Sequence, residues 1–90
     1  MTLATQAARI TTRHDLETAY NANGKNPVLL AETWNRYRLM ATFENGRMCF
    51  GIFSYRGTED IWMPVKEWHA DIVSFAYREL DKVAGITTKR

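Results

Sequence analysis

Between Arg36 and Arg56 apolar and polar side chains alternate in the two-residue rhythm of a strand, and the alternation breaks once, at Asn45-Gly46. A type I′ turn needs positive φ at both central positions, and Asn-Gly accepts it at low cost, so the pattern predicts a hairpin of strands over 36–44 and 47–56. Counting outward from the turn pairs Glu44 with Arg47, Phe43 with Met48, Ala41 with Phe50, Leu39 with Ile52 and Tyr37 with Ser54. All but the first pair share one face, which is almost wholly apolar. Gly57-Thr58 reads as a second two-residue turn into a strand over 59–63, which sets Phe53 opposite Trp62 and Ile52 opposite Met63. Ile61 and Met63 then join the same apolar face, and a one-residue slip would invert the strand.

The flanking segments follow helical spacing. Pro64 suits the first position of a helix, and Gly85 suits its end, which predicts a helix over 64–84. Val65, Ile72, Ala76 and Val83 fall on one line of it with Trp68 and Leu80 beside them, while Lys66, Asp71, Ser74, Arg78 and Lys82 face away. This stripe is expected to cover the apolar sheet face. Upstream, Thr12 can cap a helix over 13–23 that carries Leu16, Ala19 and Tyr20 and stops at Gly24. Pro27 disfavours helix at Asn26, and the apolar run that follows predicts a strand over 28–33 at the start or edge of the sheet. The alanine-rich run 2–10 could add a turn or two of helix, and 86–90 reads as a frayed tail. The expectation is one α+β domain over 1–90: an antiparallel meander of three to four strands, a C-terminal amphipathic helix and an N-terminal helix.

Composition narrows the function classes. With 90 residues, 46% of them hydrophobic, the chain holds one core and lacks the signature of disorder. A formal charge of +2 is small for a dedicated nucleic-acid binder. Cys49 is the only cysteine, so no internal disulfide can form and a reducing compartment fits best. The N-terminus lacks the charged and apolar regions of a signal peptide, and no apolar run approaches the ~20 residues of a membrane span. A cytoplasmic protein without a membrane contact is expected.

No constellation for catalysis stands out. His14 and His69, the only histidines, have no partner four residues away to make a metal-binding pair, and His69 reads as a partly buried, hydrogen-bonded residue. Cys49 opposes Thr42 in mid-strand and reads as a structural thiol. Glu59-Asp60 reads as a solubilising turn. There is no glycine-rich phosphate loop, no Gly-x-Ser-x-Gly and no Walker-type lysine. The chain is therefore expected to be no enzyme and to need no cofactor or metal.

The side of the sheet turned away from the C-terminal helix carries the functional question. It holds Arg36, Arg38, Met40, Thr42, Cys49, Phe53, Tyr55 and Trp62, and the candidate binding residues are Arg36, Arg38, Met40, Phe53, Tyr55 and Trp62. Three uses compete: cover by the N-terminal helix, a homodimer contact through a second copy, or a surface for another macromolecule. Trp, Tyr and Arg supply most binding energy at protein interfaces. The favoured reading is a small non-enzymatic interaction module, an accessory or inhibitor-type protein of the general character of small accessory proteins of phages and mobile elements. The alternative is nucleic-acid binding. Three antiparallel strands followed by a helix, over 36–84, resemble the arm-binding domains of integrases and plant apetala-type domains, which lay a three-stranded sheet in the major groove. That resemblance implies contacts by Arg36, Arg38, Arg47, Arg56 and Trp62. Glu44, Glu59 and Asp60 at the hairpin ends oppose it, since they would flank phosphates.

Overall fold

A computed structural model describes residues 9–85. The residues fold in the order α1 (Arg13–Ala22), β1 (Val28–Glu32), β2 (Tyr37–Glu44), β3 (Arg47–Arg56), β4 (Ile61–His69) and α2 (Val73–Ala84). The four strands form one antiparallel sheet in chain order, so the expected α+β meander with a helix at each end is the architecture found. The readings of 2–8 as helix and of 86–90 as a frayed tail lie outside the described residues.

Local chemistry places each element. The Thr12 hydroxyl accepts the Asp15 N–H at 3.1 Å, which caps α1. Gly24 and Lys25 then turn the chain in left-handed conformations (φ 68° and 61°) into β1. Asn45 and Gly46, at φ 52° and 80°, make the tight turn between β2 and β3. The register there runs from Glu44↔Arg47 to Tyr37↔Ser54, as the alternation predicts. A Cβ added at Gly46 would meet nothing within 4 Å, so a side chain there is opposed by backbone conformation alone. Gly46→Val is expected to lower stability by about 1–2 kcal/mol, with an unchanged denaturant slope in urea unfolding.

The second connection differs from the expected two-residue turn. It spans 57–60, and the left-handed position is Asp60 (φ 55°) rather than Gly57. Tyr55 donates its hydroxyl hydrogen to the Asp60 carboxylate and braces this loop. The two extra residues move β4 by two places: Trp62 opposes Tyr55 and Pro64 opposes Phe53, in place of Phe53–Trp62. A shift of two preserves side-chain direction, so Trp62 stays on the face assigned to it.

The helix start is the larger correction. Residues 64–69 continue β4, and α2 begins only at Val73. Pro64 is compatible with either element, because an edge strand, like a first helical turn, leaves backbone N–H groups without an internal partner. In the strand Pro64 opposes Phe53, and Lys66, Glu67, Trp68 and His69 extend the pairing down to Cys49. Both edge strands carry one extra residue: Leu30 in β1, between Leu29 and Ala31, and Val65 in β4, between Pro64 and Lys66.

The core lies on one side of the sheet. Leu39, Ala41, Met48, Phe50 and Ile52 from β2 and β3 meet Val73, Ala76, Tyr77 and Leu80 of α2. Leu16 of α1 enters the same cluster and is fully buried. The Tyr20 ring lies 5.1 Å from that of Phe43, and an Arg13 N–H donates to the Gly46 carbonyl at 2.6 Å. Tyr77 donates its hydroxyl hydrogen to the Ile10 carbonyl at 2.6 Å, which ties the chain ahead of α1 to α2. At about 25 cal/mol per Å² of apolar area removed from water, this shared cluster is the main source of stability. Lys66 and Glu79, 2.5 Å apart, add a bridge between β4 and α2, and the hydrogen bonds from Lys66 and then Lys82 hold the Glu79 carboxyl below its usual pKa.

Candidate functional site

Because both helices pack on one side, no described helix covers the other face of the sheet. α1 does not fold across this second face. The alternation in β2 and β3 turns Arg38, Met40 and Thr42, and Cys49, Gly51, Phe53 and Tyr55, toward this open side. β4 adds Trp62, Glu67 and His69, and β1 adds Leu29 and Glu32.

The six predicted binding residues come together at one end of the face. The Arg38 guanidinium lies 4.0 Å from the centre of the Trp62 ring, reaching diagonally across β3. Trp62 packs against Tyr55, with ring centres 5.1 Å apart, and the Arg36 guanidinium lies 4.8 Å from the centre of the Tyr55 ring. The result is a continuous run Arg36–Tyr55–Trp62–Arg38 that mixes cation–π and tilted aromatic contacts. Arg36 itself stands in the loop before β2 at φ 68°, so its position depends on the turn rather than on strand alternation. Its backbone carbonyl accepts the Tyr55 N–H at 3.1 Å and fixes that turn to β3.

Beside this run lies a shallow hollow of about 260 Å³ lined by Pro27, Arg38, Met40, Phe53 and Trp62. A second hollow of about 140 Å³ shares Pro27, Met40 and Phe53 and continues toward Cys49 and Glu67. Gly51 makes room between them: an added Cβ would stand 3.0 Å from the edge of the Phe53 ring. Phe53 therefore lies partly over a glycine, which exposes a broad apolar floor.

The charges on this face are mixed in sign. Arg38 is paired with Glu32 at 3.3 Å, so one of the candidate arginines is already neutralised. At the other end Glu44 and His69 are 2.8 Å apart, and Glu44, Cys49 and His69 hold their donor atoms within 4.8 Å of one another. Burial, then the charges of Glu44 and Glu67, raises the Cys49 thiol pKa above its ordinary value. Such surroundings suppress the thiolate that a nucleophile requires. The hydrogen bond to Asp60 raises the Tyr55 hydroxyl in the same direction.

The chain matches no protein-family model, no curated protein and no solved structure. Among the described residues no helix is long and apolar enough to cross a membrane.

Sequence reasoning placed the aromatic and arginine residues on this face but missed the cluster of Glu44, Cys49 and His69. Assigning His69 to a helix separated it from Cys49, which it directly opposes across β3 and β4. The extra residue Val65 reverses the parity of the alternation between Trp62 and Glu67, so simple two-residue counting from Trp62 would not have placed His69 beside Cys49.

Proposed function

We propose that the protein is a small non-enzymatic interaction module that docks another protein on the open sheet face, acting as an accessory or inhibitor-type subunit. The observation that carries this reading is the placement of both described helices on one side, which leaves the run Arg36–Tyr55–Trp62–Arg38 and its adjoining hollow uncovered. Rigid aromatic side chains and arginine are the groups that contribute most when desolvated at an interface. The hollow suits an apolar side chain of the partner, and Arg36 suits a carboxylate at its rim. Nucleic acid is the weaker reading, since Glu32 neutralises Arg38 and Glu44 and Glu67 stand on the same face.

Affinity capture with the wild-type chain, in nuclease and at two salt concentrations, tests the reading against Trp62→Ala and Phe53→Ala. A protein retained by the wild type after nuclease, little affected by salt and lost from both folded variants, supports docking on this face. Trp62→Ala is expected to weaken capture by at least about 2 kcal/mol, close to 30-fold. Material that vanishes with nuclease and weakens steeply with salt would instead make the sheet a nucleic-acid surface.

A further inference from the structure

We propose that Glu44, Cys49 and His69 form a binding site for a divalent cation of the zinc class, independent of the aromatic end of the same face. The three residues come from β2, β3 and β4, side by side in the sheet. Cys49 and His69 are a directly opposed pair, and Glu44 lies diagonally from Cys49, two positions along β2 from Thr42. Their thiol, imidazole and carboxylate donors all lie within 4.8 Å of one another. Zinc bonded to sulfur, nitrogen and oxygen at about 2.0–2.3 Å in tetrahedral geometry needs donor separations of roughly 3.3–3.7 Å. The Nε2 of His69 and the Oε1 of Glu44, now 2.8 Å apart, would open by about half an ångström from this geometry as the cation replaces their hydrogen bond. The Cys49 sulfur would close by up to about 1 Å, a movement within reach of side-chain rotation.

The choice of cation follows from the donors. A thiolate with an imidazole and a carboxylate matches zinc or cobalt, whereas calcium and magnesium prefer oxygen alone. Cation, thiolate and carboxylate sum to zero formal charge, and the thiol proton leaves to solvent on binding. Glu67, whose charge acts on Cys49, adds negative potential just outside the donor set. The strands hold three donors at fixed register, and the side chains of His69 and Glu44 are 39% and 58% exposed, so a fourth coordination position faces out of the sheet. Three protein ligands with one open position differ from a closed structural zinc site.

Cobalt(II) titration of the full chain, stripped of metal and kept reduced, tests the site. The wild type is expected to bind a single equivalent with a thiolate-to-cobalt charge-transfer band and the intensified visible absorption of tetrahedral cobalt, and zinc should displace it. Cys49→Ser should abolish the charge-transfer band. Glu44→Gln and His69→Gln change exposed side chains and, with circular dichroism as the check on folding, should each weaken cobalt binding by more than about 10-fold, a loss already typical of removing an outer partner of a metal ligand. Cobalt binding without a charge-transfer band in the wild type, or a band of unchanged affinity in both folded variants, would overturn the site.

Discussion

Replacing Phe50 by alanine is expected to cost about 3–5 kcal/mol of unfolding free energy, whereas Phe53→Ala should cost only about 1 kcal/mol. The two residues stand three apart in β3 and point to opposite sides of the sheet. Phe50 is fully buried, and its ring lies 5.7 Å from that of Trp68. Its removal would leave a cavity among residues of three strands and α2 that cannot close around it. Phe53 lies on the open face against Gly51, where water can take the vacated volume. Urea unfolding of the two variants measures the contrast. Equal costs would mean that the open face is core in solution, and the docking reading would fall with it.

The second large effect concerns α1. Leu16 is its only buried residue, and Leu16→Ala removes side-chain contacts worth about 2–5 kcal/mol. The contacts that remain are peripheral, among them the Arg13 hydrogen bond to Gly46, the contact of Tyr20 with Phe43 and the partly buried Ala19. A helix of 10 residues does not persist in water without packing, so the loss is expected to appear as local release of α1. Amide hydrogen exchange should lose its protection over 13–22 while β2 and β3 keep theirs. A uniform loss across the sheet would show instead that α1 belongs to the same cooperative unit as the hairpin.

The parts of the fold that were legible are those where one residue type answers one backbone demand. Asn45-Gly46 set the central register, because little else accepts two consecutive left-handed positions. Thr12 marked the start of α1 through a single hydrogen bond. Pro64 was the reverse case: a residue with no N–H meets the needs of a helix start and of an edge strand equally. Choosing the helix moved six residues out of β4 and hid the neighbours of Cys49. The turn before β4 was misjudged because Gly57 is the conspicuous residue there, while Asp60 takes the left-handed position with the Tyr55 hydroxyl on its carboxylate. The aromatic face survived both errors, since a displacement of two residues leaves every side chain on its own side. The cluster of Glu44, Cys49 and His69 did not, because it depends on tertiary register between residues 20 and more positions apart.

The extra residues in β1 and β4 bear on how this protein behaves when crowded. A sheet with one uncovered face and two straight rims is a template on which further copies can add strand by strand. Here Leu30 breaks the ladder on one rim, and on the other Pro64 supplies a missing donor and Val65 a kink. Each rim thus carries a feature that works against self-templated growth. The irregular rims oppose strand-by-strand addition while the open face between them stays uncovered.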